Sequence, residues 1–518
     1  MVKARNIIIQ AGGRGSRMGH LTDNKPKCLV PLYGKPILYS ISNAFDEKLK
    51  VTIIEDYKAD VLESYLNWFP PPFDYSTVRA EGKGTCAGVQ TAIENIGNEA
   101  FILIWSDLFF TRKIKTERNL TNIIGVSNEI KCRWSYINGT FVEEPNDVPG
   151  KLGIPGIFFF GEPRRLPEIP KSGEFVRFLA DNHVAMTPRI VEGVKEIGTL
   201  ESYNEERNRG IHSRFFNDVE VRGDKVIKKA RDSSFSSLIR DEVNWYRYVS
   251  KRGFTNIPKV ISYNPLTLGR IHGSHPFELV ERGSISLQEK RDVVIRIFDS
   301  LDELHKIDRI PYDHSISREV YVEKTLKRIA AISGIIPNNN SDYFIVEGVK
   351  VPNLLVKENV SHLETLFSII LKYSPHTSFE LIHGDPTFSN ILIEQSRRIP
   401  IFIDPRGYFG SMKLYGDSMY DYAKLYYSAI GNYDFFNQGR FYLKMNNGEV
   451  NVKISSEGFE GTEGLFYDYL DKHMPAIKGL HALIWISLSG YVTDNFDAML
   501  ASYFHGLWLL REALYEFT

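Results

Sequence analysis

The pattern of strands and helices changes once along the chain, and this change constrains the fold more than any other feature. Up to about residue 200, short apolar runs typical of buried strands alternate with amphipathic segments; Asn6–Gly13, Lys50–Asp56 and Ala100–Leu108 are such runs. This alternation predicts an α/β sheet domain. After the polar stretch Ser202–Gly210, strand-like runs come first and helical patterns follow. The second part of the chain is therefore expected to pair a small β-rich lobe with a helical lobe.

These patterns predict two domains. The first covers residues 1–211 and the second residues 212–518, with a small lobe over about 212–283 and a helical lobe over about 284–518. A chain of 518 residues is long enough for both, because domains usually hold ~100–200 residues.

Composition excludes several classes of protein. Lys and Arg together number 63 and Asp and Glu 64, so a net charge of -1 gives no general attraction to nucleic acid or anionic membranes. The three cysteines, Cys28, Cys86 and Cys132, form no CxxC pair, which argues against a disulfide framework or structural zinc. No run approaches the ~18–20 apolar residues of a membrane span. We expect a cytoplasmic protein without membrane insertion; the sequence does not give its oligomeric state.

A glycine-rich segment, AGGRGSRMGHLTDNKPKCLVPLYGKPIL, follows the first strand. Gly12, Gly13 and Gly15 let backbone N–H groups approach a polyphosphate, and Arg17 and Lys27 add positive charge. A glycine loop alone equally fits a tight strand-to-helix turn, and this one is neither a Walker A loop nor GxGxxG. The combination with SRM, PKCLVP and GKPIL is more specific.

This segment resembles the signature of the sugar-phosphate nucleotidyltransferase family, which includes bacterial phosphocholine cytidylyltransferases. The resemblance covers roughly residues 1–205. It implies a Rossmann-like α/β domain that joins an NTP to a phosphorylated metabolite and releases pyrophosphate. By this resemblance Lys27 and Arg17 would be catalytic, and the triphosphate would be held by Gly12, Gly13, Gly15, Ser16, Arg17 and Lys27.

Two further segments carry the same resemblance. EGKGTCAGVQTAI, with Glu81 and Gly84, resembles the loop around the nucleobase. Asp107 in SDL stands where the family keeps a Mg²⁺-binding aspartate, and Glu196 in KEIGTLESY replaces its second metal-binding aspartate. Two anions must meet in this reaction, and Mg²⁺ between carboxylates offsets their repulsion. Asp107 also suits a turn cap after a strand, and Glu196 a surface turn.

One departure from the family concerns the acceptor phosphate. The family often has F-x-E-K-P, whose lysine holds that phosphate, whereas this chain has FVEEP with Glu144 at the lysine position. Lys151 and Lys195 are the candidates to replace it.

A second constellation, LIHGDPTFSNILI followed by IFIDPRGYFG, suits phosphoryl transfer. Asp385 can orient or deprotonate an acceptor hydroxyl, while Asn390 and Asp404 can hold Mg²⁺ that bridges ATP phosphates. Each residue alone would also suit a cap or a buried loop. Arg406 is interpreted as a structural salt-bridge residue rather than a substrate contact.

These residues resemble the aminoglycoside phosphotransferase and choline kinase family over roughly residues 212–518, which implies a two-lobed, protein-kinase-like α+β fold. Lys228, with Lys229 as the alternative, would then pair ATP phosphates, and Glu242 would be its ion-pair partner. HPFELVERG is interpreted as a strand, with Glu278 and Glu281 near the hinge that binds adenine.

The two modules together predict a bifunctional enzyme. ATP would phosphorylate a sugar or polyol, and the product would react with CTP, UTP or GTP to give an NDP-activated precursor for surface glycans. Choline, giving CDP-choline, is the alternative; Trp485, Tyr503 and Trp508 could contact it, but are interpreted as core. A catalytically silent nucleotide-sensing scaffold and an aminoglycoside-inactivating enzyme are two further hypotheses.

Overall fold

The structure is a computed structural model, and it divides the chain into two compact units. Residues 6–45, 50–114, 122–130, 132–143, 151–209, 217–230, 236–281, 283, 285–375, 377–446, 448–455 and 458–517 are described. One unit comprises residues 1–211 with 494–497, and the other residues 212–493 with 498–518.

The first unit alternates strands and helices. Its described strands are β1 (Asn6–Gln10), β2 (Pro31–Leu32), β3 (Lys35–Pro36), β4 (Lys50–Glu55), β5 (Tyr75–Arg79), β6 (Phe101–Trp105), β7 (Leu108–Phe110), β8 (Ile123–Val126), β9 (Trp134–Ile137), β10 (Thr140–Glu143), β11 (Leu152–Gly153), β12 (Ile157–Phe160), β13 (Thr187–Ile190) and β14 (Val194–Glu196). Its described helices are α1 (Ile37–Ser40), α2 (Ala59–Trp68), α3 (Val89–Asn95), α4 (Phe175–Asp181) and α5 (Leu200–Arg209).

The main sheet of this unit has the order β13-β8-β12-β6-β1-β4-β5. β1 pairs in parallel with both β4 and β6, and its five residues are all buried because helices and loops cover both sheet faces. The chain leaves β1 towards β4 and later returns to the other side of β1 as β6. The order therefore reverses at β1, and ligands of open α/β sheets bind at the carboxyl ends of strands at such a point.

The second unit begins with strands and continues mainly with helices. Its described strands are β15 (Asn217–Arg222), β16 (Lys225–Ala230), β17 (Val260–Tyr263), β18 (Leu266–Gly269), β19 (Gly273–Ser274), β20 (Arg309–Pro311), β21 (Tyr343–Val346), β22 (Val349–Pro352), β23 (Ser378–Leu381), β24 (Ile391–Glu394), β25 (Pro400–Phe402), β26 (Tyr408–Phe409), β27 (Met412–Lys413), β28 (Tyr415–Gly416), β29 (Phe441–Asn446) and β30 (Glu449–Ile454). The described helices from residue 236 onward are α6 (Ser236–Lys251), α7 (Pro276–Glu281), α8 (Leu287–His305), α9 (His314–Arg318), α10 (Lys324–Ala330), α11 (Val360–Tyr373), α12 (Ser418–Ala429), α13 (Tyr433–Asn437), α14 (Glu463–Leu470), α15 (Met474–Ser489) and α16 (Phe496–Phe517).

An antiparallel sheet of order β15-β16-β18-β17 forms the β-rich part of this unit, and α6 packs on it. α6 is amphipathic, and its buried face includes Glu242 and Trp245. Helices α11, α12 and α15 pack together in the helical part, where α12 is buried along its whole length. The predicted fold class, a Rossmann-like unit followed by a kinase-like unit, is confirmed. Within the described residues, no helix combines the length and apolar character needed to cross a membrane.

Two details of the second unit differ from the sequence predictions. HPFELVERG was predicted as a strand, but Pro276–Glu281 forms the helix α7. Proline suits the first turn of a helix, and Glu278 Oε2 accepts a hydrogen bond from the backbone N–H of His275 at 3.0 Å. The lobe expected to be helical, from about residue 284 onward, also holds several strands, including the sheet β22-β21-β30-β29.

Candidate active sites

The loop after β1 carries the glycine-rich segment of the first unit. Gly15 has a φ of 69°, and a Cβ on it would lie 2.9 Å from Cβ of Lys27. Only glycine therefore permits this turn and lets Lys27 lie against the loop. The backbone N–H of Met18 donates to the carbonyl oxygen of Gly15 at 2.8 Å and starts a short 3-10 helix, Ser16–Thr22, on which Ser16 and Arg17 are exposed.

Asp107 lies just beyond β6, beside the end of β1. Its Oδ2 accepts a hydrogen bond from Nζ of Lys27 at 2.6 Å. The residue is 3 % exposed, and among the described residues its Oδ1 has no hydrogen-bond partner. A buried carboxylate oxygen without a donor suits a bound cation.

Glu196 meets Asp107 through a short two-stranded ladder. β14 pairs with β7, and the backbone N–H of Ile197 donates to the carbonyl oxygen of Asp107 at 2.8 Å. A Cβ on Gly198 would lie 2.9 Å from Glu196 Oε1, 3.1 Å from Asp107 Oδ2 and 3.4 Å from Arg17 Nη2. Arg17 Nη2 is 3.7 Å from Glu196 Oε1. The carboxylates of Asp107 and Glu196 and the guanidinium of Arg17 thus converge around Gly198, which has no side chain.

The electrostatics of this group favour a divalent cation. Burial and the charge of Asp107 raise the pKa of Glu196 to about 7, although Arg17 and Lys27 act in the opposite direction. A buried carboxylate beside a second one is stabilised in its charged form by a metal ion between them. Asp107 and Glu196 therefore fit Mg²⁺, which prefers carboxylate oxygen.

The segment around Gly84 is tied to the end of β1. Gln10 Nε2 donates to the carbonyl oxygens of Thr85 at 3.0 Å and Ala87 at 2.9 Å. Gly84 has a φ of 84°, and a Cβ on it would lie 2.4 Å from a backbone oxygen of Gly173. This segment is therefore held close to the glycine-rich loop.

Glu81 is exposed, unlike Gln10 and Ala87, which join the segment around Gly84 to the end of β1. Its carboxylate is exposed and forms an ion pair of 2.7 Å with the exposed Lys171, which lowers the pKa of Glu81. Glu81 as a nucleotide-binding residue stays a prediction.

Lys195 lies on the face of β14 opposite to Glu196, because successive strand residues alternate. Its Nζ donates to both carboxylate oxygens of the buried Glu206 at 2.5 and 2.6 Å. It therefore does not project towards Asp107. Glu144 lies outside the described residues, and Lys151 is half-buried.

In the second unit, Lys228 rather than Lys229 faces inward. Lys228 is 5 % exposed, and its Nζ donates to Glu242 Oε1 at 2.7 Å and also pairs with Asp404, whereas Lys229 is exposed. Burial alone would lower the pKa of Lys228, but Asp404 and Glu242 outweigh it, so this pKa lies above its ordinary value. The arrangement keeps the lysine charged within reach of Asp404.

Asn390 and Asp404 are brought together by the hairpin of β24 and β25. Asn390 immediately precedes β24, and the backbone N–H of Ile403 donates to its carbonyl oxygen at 2.9 Å. Asn390 Nδ2 donates to the carbonyl oxygen of Asp385 at 2.8 Å, and Asp404 has a φ of 56°. The amide and carboxylate oxygens of Asn390 and Asp404 suit Mg²⁺.

Asp385 faces two cations. Lys424 Nζ lies 3.0 Å from Asp385 Oδ1, and Arg406 Nη2 lies 3.7 Å from Asp385 Oδ2. Arg406 therefore contacts the carboxylate that is expected to receive the acceptor proton. Sequence reasoning did not select Lys424, although a lysine among the many aromatic and apolar residues of α12 is a signal for a buried charge partner.

Asp421 supports the loop that carries Asp385. It is fully buried, and its two oxygens accept the backbone N–H groups of His383 and Gly384, both at 2.8 Å. Nε2 of His305 lies 3.0 Å from Asp421 Oδ2. This carboxylate therefore fixes the backbone ahead of Asp385.

The aromatic residues considered for choline lie mostly in the core. Trp485 and Tyr503 are fully buried, and Trp508 is half-buried. Trp485 packs against Tyr427 and Phe436 at ring-centroid distances of 4.8 and 4.9 Å.

Comparison with known proteins separates the same two parts. The family model of the MobA-like NTP transferase domain matches residues 7–122, and that of the phosphotransferase enzyme family matches residues 205–443. The bifunctional protein GlmU of Methanococcus maripaludis is 28 % identical over 192 residues, which are 37 % of this chain and 42 % of that protein. The UTP–glucose-1-phosphate uridylyltransferase AglF of Haloferax volcanii is 27 % identical over 172 residues, which are 32 % of this chain and 65 % of that protein.

This chain thus spans less than two thirds of the length of each of these relatives. A solved structure of UDP-glucose pyrophosphorylase complexed with UDP-glucose has 20 % sequence identity and a TM-score of 0.33; the likeness covers 40 % of this chain and 98 % of that one. Both matched family models describe enzymes, so residues 7–122 are similar to a MobA-like NTP transferase domain and residues 205–443 to the phosphotransferase enzyme family.

Proposed function

We propose that the chain is a bifunctional enzyme that makes a sugar nucleotide in two steps. The second unit transfers the γ-phosphoryl group of ATP to a hydroxyl of a sugar or polyol. The first unit then joins the phosphate ester to CTP, UTP or GTP and releases pyrophosphate. The product would be an activated precursor for a surface glycan, made in the cytoplasm.

One observation carries the proposal for the first unit. Lys27, Arg17, Asp107 and Glu196 converge where the strand order reverses, so two cations and two carboxylates lie together at the expected ligand crevice. In nucleotidyl transfer, the ester phosphate attacks the α-phosphorus and pyrophosphate leaves. Lys27 and Arg17 would bind the leaving phosphates, and Mg²⁺ on Asp107 and Glu196 would neutralise the approaching anions.

In the second unit, Asp385 would take the proton of the acceptor hydroxyl. The hydroxyl oxygen bonds to the γ-phosphorus, the bond from that phosphorus to the bridging oxygen breaks, and ADP leaves. Lys228, held by Glu242, would bind ATP phosphates, and Asn390 and Asp404 would hold Mg²⁺.

A sugar is favoured over choline as the acceptor class. AglF is by name an enzyme of UTP and glucose 1-phosphate, and its matched stretch is 27 % identical to this chain. The aromatic candidates for choline, Trp485 and Tyr503, are buried in the core.

The test measures both reactions on the same protein. Pyrophosphate release is followed with each of four NTPs and Mg²⁺ against phosphorylated sugars, polyol phosphates and phosphocholine, and ADP release is followed with ATP. Asp385→Asn should abolish phosphorylation and spare pyrophosphate release, while Asp107→Asn should do the reverse. Each variant is the control for the other. Loss of both activities in either variant with the fold intact, or of neither, contradicts the assignment.

A further inference from the structure

Side chains of α12 and α13 hold the loop that carries Asp385. This loop, residues 382–390, connects β23 to β24 and is called the Asp385 loop below. Its backbone N–H groups donate to three side chains: His383 and Gly384 to Asp421, both at 2.8 Å, Phe388 to Ser428 Oγ at 3.0 Å, and Ser389 to Asp434 Oδ1 at 2.9 Å. The two helices therefore fix the backbone on both sides of Asp385.

Lys424 extends these contacts from the backbone of the loop to its carboxylate. Asp421, Lys424 and Ser428 are spaced by three and four residues along α12, so they share one face of the helix. Whereas Asp421 and Ser428 accept backbone N–H groups, Lys424 Nζ lies 3.0 Å from Oδ1 of Asp385. The helix thus places a cation beside the carboxylate that is expected to take the acceptor proton.

The ammonium group of Lys424 is largely shielded from water. Its side chain is 10 % exposed, and the charge lies over the rings of Tyr420 and Tyr427, at 5.8 and 5.2 Å from their centroids. Both tyrosines are buried. Because a charge interacts more strongly with its neighbours away from water, Lys424 acts strongly on any anion that reaches Asp385.

The single carboxylate of Asp385 faces two cations. Arg406 Nη2 lies 3.7 Å from Oδ2 of Asp385, and Asn390 Nδ2 is 3.4 Å from the same oxygen. One negative charge does not balance two positive ones, and cations favour an ionised carboxylate over a protonated one. The role of Asp385 as a proton acceptor therefore does not explain Lys424, whereas a second anion that arrives during the reaction does.

The transferring phosphoryl group is such an anion. Its negative charge is spread over three oxygens and is stabilised by cations placed beside it. Between Asp385 and Asn390 the loop has the sequence Pro-Thr-Phe-Ser, which supplies no cation, and Lys228 is already paired with two carboxylates. A hydroxyl held by Asp385 attacks the phosphorus, so the phosphoryl oxygens come to lie next to the carboxylate that Lys424 contacts.

We propose that Lys424 is a catalytic residue of the second unit and that its ammonium group binds an oxygen of the phosphoryl group during transfer. The inference rests on the proposed kinase function. The acceptor oxygen bonds to the γ-phosphorus, the bond to the bridging oxygen breaks and leaves its electron pair on ADP, and the hydroxyl proton passes to Asp385. Lys424 keeps its own proton and neutralises charge on the phosphoryl oxygens.

The first experiment measures ADP release from ATP and Mg²⁺ by the full chain, with glucose, glycerol, choline or water alone as the acceptor. Lys424→Met keeps the length of the side chain without its charge and should lower kcat at least about 100-fold, with a change of less than about threefold in KM for ATP. Lys424→Arg restores a cation and should recover part of this loss. Lys327→Met is the matched control and should leave kcat unchanged, since Lys327 is exposed on α10.

The second experiment separates a contact with the phosphoryl group from a structural role. Aluminium fluoride with ADP and Mg²⁺ takes the place of the transferring phosphoryl group, and titration calorimetry gives the affinity for ADP with and without it. The wild-type chain should bind ADP more tightly with the fluoride. Lys424→Met should lose at least about tenfold of this gain, while its affinity for ADP alone stays within about twofold. Lys424→Gln, which keeps a hydrogen-bond donor without the charge, repeats the test in case the methionine variant does not fold.

Different results would overturn the inference and the kinase function. Normal kcat in folded Lys424→Met overturns the inference, and so does an equal loss of ADP affinity with and without fluoride, which marks a structural contact. The kinase function stands in both cases as long as Asp385→Asn abolishes ADP release. ADP release by Asp385→Asn at the wild-type rate, or none by the wild-type chain with any of these acceptors, refutes the kinase function itself.

Discussion

Replacing Lys228 by methionine should damage the second unit far more than the same change at the adjacent Lys229. Lys228 and Glu242 are 5 % and 6 % exposed, and their charges are 2.7 Å apart. Methionine keeps the length of the side chain but removes the cation, so Glu242 and Asp404 lose the charge that they share. Removing one partner of a buried ion pair costs about 3–5 kcal/mol of unfolding free energy.

This magnitude can be measured in urea. With a slope of roughly 3 kcal/mol per molar for a unit of this size, Lys228→Met should lower the unfolding midpoint by about 1–2 M. Hydrogen exchange in peptides of β16 and α6 reports this midpoint, and peptides of the first unit are the internal standard. Lys229→Met should change the free energy by less than about 0.5 kcal/mol, since that side chain is exposed.

A double variant separates stability from catalysis. Lys228→Met with Glu242→Gln removes one of the unpaired carboxylates and should recover part of the lost stability, while phosphorylation stays lost. Pyrophosphate release by the first unit should be unchanged in all these variants. Equal midpoints for Lys228→Met and Lys229→Met, or normal phosphorylation by the former, would refute the role assigned to Lys228.

Three further changes test other contacts. Gly198→Ala should displace the Asp107 and Glu196 carboxylates and slow pyrophosphate release about 100-fold without changing ADP release. Tyr420 should ionise near pH 8, so tyrosinate absorbance at 295 nm should increase from pH 7 to 9, and Tyr420→Phe should remove that increase. Asp421→Asn should weaken two charge-assisted hydrogen bonds and lower kcat for phosphorylation about tenfold or more with a smaller change in KM; an effect on KM alone would refute a positioning role.

The buried strands of the first unit could be predicted because β1 and β6 are continuous apolar runs, which parallel sheets require. The candidate residues Asp107 and Asp404 could be predicted for a related reason, since each follows a strand and belongs to a recognisable motif. The segment of α7 was predicted wrongly as a strand, because a short apolar run fits a strand or a helix equally well. The helix is favoured here by Pro276 at its start and by the hydrogen bond from the His275 backbone N–H to Glu278.

The two cations at Asp385 could not be predicted from local patterns. Arg406 and Lys424 are distant from Asp385 in sequence, and each alone resembles an ordinary charged residue of a loop or helix. The hairpin of β29 and β30 was missed although Gly448, with a φ of 84°, lies in its turn. Asparagine followed by glycine between alternating residues is a known signal for such a turn.

The first site depends on the register in which β14 pairs with β7. The ladder is closed at one end by Thr111 N–H to the Gly193 carbonyl at 2.7 Å and at the other by Ile197 N–H to the Asp107 carbonyl at 2.8 Å. Because side chains alternate, inserting one residue ahead of Lys195 in β14 would place Lys195 where Glu196 now lies beside Asp107. A carboxylate pair would become a carboxylate and an ammonium group, which repels a metal ion. An insertion in β14 should therefore reduce pyrophosphate release far more than a substitution at an exposed residue next to this strand.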